Sequence, residues 1–291
     1  LPGFATELHI LHFNDFNSRI EPISRFNSTC SAEDDAAGEC FGGAARLYTL
    51  VTQMRSALEA EGENVIVLDA GDASQGSLFY TTYGGQAEVD LLERIGLDAM
   101  AVGNHEFDLG PDGLALFLDT ATFPIVSSNL DVSGAEQLAG RVAPYVIVEE
   151  GDMRIGIVSA LATDTVETSS PGPTVIFQDE IEALNAAVAT LQAEGVAPII
   201  ALTHVGLAKD MEIAEKVPGL DLVVGGHSHT LLSNTSDSAA GPYPTMVGDV
   251  PVVQAYAYSK YLGELTVTFD DEGNVVSAEG EPILLDASVT P

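Results

Sequence analysis

The stretch Asn64-Val65-Ile66-Val67-Leu68-Asp69-Ala70-Gly71-Asp72 decides how the chain is read. Four consecutive apolar residues, three of them β-branched, predict a short buried strand. Two acids and a glycine follow at once, so carboxylates are carried past the strand end, where loops project side chains over a sheet edge. The same arrangement recurs along the chain. The apolar run 7–13 leads into Asn14-Asp15-Phe16-Asn17, and 98–102 leads into Gly103-Asn104-His105-Glu106. Strand 198–203 ends at Thr203-His204, and 220–224 runs into Gly225-Gly226-His227-Ser228-His229.

Between these strands the apolar period changes. Ala45, Leu47, Leu50, Val51, Met54 and Leu58 mark a helix over 42–61 that ends at Gly62. Further helices are expected at 86–95, 112–120, 179–194 and 208–216, with a strand at 124–128. Residues 144–150 and 154–160 read as a hairpin through Gly151-Asp152. The tail (250–256, 261–269, 274–285) alternates with period two and is expected to be antiparallel, and 233–249 is expected to be a long loop. Alternating strands and helices predict an α/β fold: one domain over 1–291, with two β-sheets sandwiched between helices.

Apolar residues make up 46% of the chain, enough for a substantial core, yet no run approaches the length of a membrane span. The formal charge is −34, with three lysines (Lys209, Lys216, Lys260) and seven arginines. Such a surface is strongly hydrated, suits salty surroundings, and disfavours nucleic acid or an anionic membrane as a partner. An anionic substrate must then be drawn in by local positive charge. Cys30 and Cys40 lie in a polar, acidic stretch without neighbouring histidine, a poor zinc site. A disulfide is expected, and with it an oxidising compartment, periplasmic or secreted. Leu1-Pro2-Gly3 lacks the pattern of a signal peptide, so the numbering is read as starting after one has been removed.

Four of the six histidines fall in the strand-end segments. Asp15 and Asp72 offer carboxylates, Asn104 an amide oxygen, and His204, His227 and His229 imidazole nitrogens. Asp72, in a glycine-flanked turn, suits a bridging role. Oxygen and imidazole ligands gathered at strand ends are what a two-metal hydrolytic site needs. His12 reads as a hydrogen-bonded core residue and His9 as an ordinary strand residue. For Arg19 and Arg46 an ion pair is expected rather than a phosphate contact.

These segments resemble the calcineurin-like metallophosphoesterase superfamily, and within it the catalytic domain of 5′-nucleotidases. The likeness runs through Leu68-Asp69-Ala70-Gly71-Asp72 with Gln75-Gly76, Gly103-Asn104-His105-Glu106-Phe107-Asp108, and Gly225-Gly226-His227-Ser228-His229-Thr230. The cysteine-bracketed loop before Gly42-Gly43-Ala44-Ala45-Arg46-Leu47 is also similar, as are Gly241-Pro242-Tyr243-Pro244 and Gln254-Ala255-Tyr256. The resemblance implies a four-layer α/β/β/α fold holding two divalent cations, with Zn, Mn, Mg and Ca as candidates. One cation would take Asp15, Asn17, Asp72 and His229; the other would take Asp72, Asn104, His204 and His227. A hydroxide held by the metals would attack phosphorus in line and release phosphate from a nucleoside 5′-phosphate. His105 would stabilise charge or protonate the leaving oxygen, with Asp108 fixing its tautomer.

The chain departs from that pattern twice. The family has histidine where Asn17 stands, which predicts a looser first metal position, shifted toward Mn, Mg or Ca. The sequence ends at Pro291, about where the family's C-terminal substrate-binding domain would begin, so that domain is expected to be absent, the chain being either a catalytic fragment or a short relative. Two alternatives stay open: a phosphodiesterase or nucleotide-sugar hydrolase, and a metal-binding domain whose turnover is weakened.

Overall fold

Leu8 and Ile10 face one way from the first strand and Leu11 and Phe13 the other, and all four are fully buried. A strand covered on both faces needs a layer on each side, and the computed structural model, described over residues 5–291, supplies both. The reading of Leu1-Pro2-Gly3 lies outside the described residues. The first half runs β1 (Thr6–Phe13), α1 (Ala32–Ala36), α2 (Ala44–Ala60), β2 (Asn64–Asp69), α3 (Leu78–Tyr83), α4 (Gln86–Ile95), β3 (Ala99–Ala101), α5 (Gly110–Thr120), β4 (Ile125–Val126) and β5 (Leu130–Asp131). The second half runs β6 (Tyr145–Glu150), β7 (Met153–Leu161), α6 (Thr165–Thr168), β8 (Ile176–Phe177), α7 (Glu180–Ala193), β9 (Ile199–His204) and α8 (Leu207–Lys216). It closes with β10 (Leu222–Val224), β11 (Thr245–Val247), β12 (Val250–Val253), β13 (Tyr261–Phe269) and β14 (Val275–Leu284).

Two six-stranded sheets result, ordered β14-β13-β1-β2-β3-β4 and β11-β12-β10-β9-β7-β6, with β5 and β8 forming a small third sheet. Leu8, Ile10, Ile66 and Leu68 of the first sheet meet Ile155, Ile157, Ile200 and Leu202 of the second. On the outer face of the first sheet, Leu47 and Val51 of α2 and Leu92 of α4 join the cluster of Leu11, Val65 and Val67. On the outer face of the second, Leu184 and Leu191 of α7 and Ile213 of α8 cover Val158, Ile199 and Val223. The architecture is helix, sheet, sheet, helix, as expected. Strands β1, β2 and β3 are mutually parallel, as are β7, β9 and β10, so their C-terminal ends can share one rim.

The tail departs from its expected pairing in one place. β13 and β14 are antiparallel to each other, and β13 to β1. The run at 250, however, joins the second sheet as β12, parallel to β10 through Val223 and Val252, and antiparallel to β11. Pro251, Val252 and Val253 are buried in succession, the mark of a strand covered on both faces, which alternation does not describe. The supposed loop 233–249 contains β11, a three-residue strand too short to show a period.

His12 is wholly buried, and its Nε2 lies 2.6 Å from Tyr243 Oη. Burial lowers its pKa to about 3, so it is neutral. Gly263 pairs with His12 across β1 and β13, and a Cβ at Gly263 would overlap the imidazole. His9 lies on β1 between Glu63 (3.9 Å) and Glu264 (3.7 Å). Arg46 pairs with Asp35 at 3.7 Å. Arg19 differs from expectation: its guanidinium lies 5.0 Å from the centre of the Tyr258 ring, with no carboxylate within 4.0 Å among the described residues. Cys30 and Cys40 are joined in a disulfide.

Candidate metal centre

The segments after β1, β2, β3, β9 and β10 come together on the shared rim. Backbone bonds lace the first two side by side: Asp15 N to Gly71 O, Asn17 N to Asp72 O and Ser18 N to Ala73 O, each 2.9 Å. His105 N donates to Asp72 Oδ1 (2.9 Å), tying in the third. His227 N donates to Asp15 Oδ2 (2.9 Å), tying in the last. Of the seven expected ligands, Asp15, Asn17, Asp72, His227 and His229 have positive φ, between 47° and 77°. Non-glycine residues held in that region cost about 1–3 kcal/mol each and cluster where function requires a set geometry.

His204, fully buried at the end of β9, is the hub. Its Nδ1 lies 2.7 Å from Ala70 O, an acceptor only, which assigns the Nδ1 proton and leaves the lone pair of the neutral ring on Nε2. That Nε2 lies 3.0 Å from Asp72 Oδ2, 3.2 Å from Asn104 Oδ1 and 3.9 Å from Asp15 Oδ1. His227 Nδ1 approaches the same Asn104 oxygen at 2.9 Å. Ligand atoms of Asp72, His204 and His227 all lie within 4.8 Å of one another. Burial opposes charge on His204, yet the Asp72 and Asp15 carboxylates push it up to about 10. Lone pairs converge here on a point that draws in positive charge, whether proton or metal.

A second group sits beside it. His229 Nε2 lies 3.1 Å from Asp15 Oδ1. Asn17 is 1% exposed, and neither its amide oxygen nor its nitrogen has a hydrogen-bond partner among the described residues. A buried, unpartnered carboxamide costs about 1–3 kcal/mol, which a cation on its oxygen removes. Asp15 Oδ1 is also buried without a hydrogen-bond partner. By chemical type, two carboxylates, an amide oxygen and an imidazole suit a divalent cation of oxygen-preferring character.

His105 lies to one side. Its Nδ1 is 2.8 Å from Asp108 Oδ2, while its Nε2 is 2.9 Å from Gln75 Nε2 and 3.9 Å from Asp72 Oδ2. Burial works against a charged imidazole, but the Asp108 bond and the Asp72 and Asp108 charges outweigh it and raise its pKa.

Three supporting residues were not singled out from sequence. Glu106, 3% exposed, accepts from the backbone N–H groups of Asp72 (3.0 Å), Ser74 (3.1 Å) and Gly103 (2.8 Å), clamping the β2 and β3 loops. Burial, with the nearby Asp72 charge, pushes its carboxyl up to about 7. Asn14 donates to Asp15 Oδ2 (2.7 Å) and accepts from Ala255 N (3.0 Å), joining β1 to the residues after β12. Ser169 donates to the second oxygen of Asp108 at 2.8 Å. Glu106 and Asn14 stand inside the quoted segments, so adjacency was their one signal; Ser169 had none.

The profile of the calcineurin-like phosphoesterase family matches residues 8–231. Human 5′-nucleotidase is 45% identical over 297 residues, covering 98% of this chain and 50% of that protein. The chain spans about half the length of the curated relatives it matches. The solved 5′-nucleotidase precursor from Thermus thermophilus superposes with a TM-score of 0.89 at 42% identity, covering 98% of this chain and 56% of that one. The NAD nucleotidase of Haemophilus influenzae superposes with a TM-score of 0.86 at 32% identity, covering 97% and 51%. The matched span encloses all seven candidate ligand residues, and at that extent it shows that the chain belongs to the calcineurin-like phosphoesterase family.

Proposed function

We propose that this chain is a divalent-metal-dependent phosphoester hydrolase acting on nucleoside 5′-phosphates. The observation that carries the reading is the His204 hub, where imidazole, two carboxylates and an amide oxygen meet with no proton donor among the oxygens. Asp15, Asn17, Asp72 and His229 would hold one cation, and Asp72, Asn104, His204 and His227 the other. Bound divalent cations supply Lewis-acid charge for in-line displacement at phosphorus. Asp72 would be shared by the two; His105 N orients its Oδ1, and its Oδ2 faces His204.

His105 holds a proton at Nε2 for the departing alkoxide, because Asp108 fixes Nδ1 and raises the basicity of the ring. Ser169 keeps the Asp108 carboxylate turned toward the ring. The disulfide fits an oxidising compartment, and we place the protein in the periplasm or outside the cell. Among the described residues no helix is long and apolar enough to cross a membrane.

The test is phosphate release from a nucleoside 5′-monophosphate, a cyclic diester and a dinucleotide, with Mn or Zn added. Activity should vanish on chelation and fall sharply in His105→Asn. Turnover unchanged in that variant removes the proposed role of His105. A second reading, cleavage of a dinucleotide or nucleotide sugar, gains from the 32% identical structure named an NAD nucleotidase; preference for the dinucleotide would establish it. No turnover with both metals bound would leave a metal-binding domain.

A further inference from the structure

With 44 acidic residues against ten Lys and Arg, nearly every cation should find a carboxylate. Six do within 4.0 Å: Arg46, Arg55, Arg94, Arg141, Lys209 and Lys216. Among the described residues Arg19, Arg25, Arg154 and Lys260 do not, and two of these, Arg19 and Lys260, flank one ridge beside the metal centre. That ridge is aromatic. Tyr258 meets the His229 ring edge-on at 5.1 Å, Tyr256 meets Tyr258 at 6.3 Å, and Tyr261 meets Tyr256 at 6.0 Å. Arg19 lies over Tyr258, and Lys260 Nζ is 5.8 Å from the centre of the Tyr256 ring.

The ridge is held in a costly conformation. Tyr256, Tyr258 and Ser259 all have positive φ (64°, 62° and 53°). Tyr256 N bonds to Thr230 O (3.0 Å), Tyr258 N to Asp15 O (2.6 Å), and Gly43 N to Ser259 Oγ (2.9 Å). Asn27 Nδ2 donates to Tyr256 Oη at 2.7 Å, which leaves the phenol proton available to a ligand. Strain of this kind persists where the surrounding structure enforces it. Here it sets two phenols and an ammonium along the edge of the proposed catalytic centre.

A cavity of about 440 Å³ opens there, lined by His229, Thr230, Tyr256, Lys260 and Tyr261. Lys260 Nζ makes two long bonds, 3.4 Å each, to the neutral oxygens of Arg25 and Asn27. Burial alone holds its pKa below the ordinary lysine value, with no acid to offset it. A half-buried ammonium without a counter-ion, in a chain this acidic, leaves room for an anion from outside.

We propose that this cavity is a second anion subsite, in which Lys260 holds the distal phosphate of a nucleoside 5′-diphosphate or other pyrophosphate-containing ester. This rests on the phosphohydrolase reading, since His229 lines both the cavity and the first cation position. Lysine binds phosphate as a point charge, and tyrosine hydroxyls complete the shell. The −34 background repels anions, so a doubly phosphorylated substrate needs local cations beyond the metals, and Lys260 is the one placed to serve.

The chain has no tryptophan, and three of its eight tyrosines form the ridge, so tyrosine emission carries a signal from it. Metal-loaded protein would be titrated with inorganic pyrophosphate and with inorganic phosphate, as wild type, Lys260→Met and Lys260→Arg. The methionine variant should weaken pyrophosphate about ten-fold more than phosphate, the worth of one charge-assisted bond. The arginine variant should restore the preference. In turnover, KM for adenosine 5′-diphosphate should rise about ten-fold relative to that for the monophosphate. Equal weakening of both probes, or of neither, overturns the subsite. Lys260-dependent pyrophosphate binding in a protein that hydrolyses neither nucleotide would keep the subsite and discard the hydrolase reading. Should the methionine variant fail to fold, Lys260→Gln supplies the same comparison.

Discussion

His105 Nδ1 lies 2.8 Å from Asp108 Oδ2, and the other oxygen of that carboxylate is held at 2.8 Å by Ser169 Oγ. The relay ends on a serine after α6, more than sixty residues from the histidine that it orients. Burial pulls the His105 pKa down; the Asp108 bond and the surrounding carboxylates pull it up and prevail.

If protonated His105 assists the leaving group, turnover falls as pH rises through its raised pKa. Asp108→Asn removes the charge and leaves at most a neutral acceptor, so the alkaline limb of the pH–rate profile should move to lower pH. His105→Asn should lower kcat by about 10²–10⁴. An alkaline limb that stays in place in Asp108→Asn would assign it to another group.

At the proposed first cation position, Asn17 would offer an amide oxygen alongside the donors of Asp15 and His229. Amide oxygen suits Mn, Mg and Ca better than Zn. Wild-type protein should retain one tight and one loose equivalent of zinc on dialysis. Asn17→His should tighten the loose one by about ten-fold. Elemental analysis decides, and two equal equivalents in both proteins would show that the carboxamide is no handicap.

A Cβ at Gly103 would overlap Asp72 Oδ1 and N and lie 2.7 Å from Glu106 Oε2. Gly103→Ala should therefore cost about 2–3 kcal/mol in urea unfolding and loosen bound metal, because the clamp and Asp72 must move apart. A variant of unchanged stability would show that the two loops yield easily.

Cys30 and Cys40 close a short loop, a constraint worth roughly 2–3 kcal/mol. Serine at both positions, or reduction of the wild type, should lower the melting temperature while metal content holds.

The two-sheet fold was legible because β2 and β9 are continuous apolar runs and α2 carries the 3.6-residue period. The candidate ligands stood out in sequence because each lies at, or within a few residues of, the end of a strand, so chain order and position on the rim coincide. β12 was misassigned for a related reason: a strand covered on both faces shows no alternation to reveal its neighbour. Glu106 looks in sequence like any glutamate, and its clamp exists only once β2 and β3 are side by side. The missing partner of Arg19 was equally invisible. An ion pair is a sound expectation among 44 acids, and only the strained turn at Tyr258 supplies an aromatic face in their place.

Asp15 and Asp72 follow strands of the first sheet, whereas His204 ends a strand of the second and His227 and His229 follow another. Neither half of the chain could therefore assemble the proposed cation site alone, and ion uptake would be a checkpoint that only correctly docked halves pass. Once seated, the ions would act as rivets across the seam, raising resistance to unfolding in step with their free concentration. In an exported protein, this would tie longevity outside the cell to the mineral content of the surroundings.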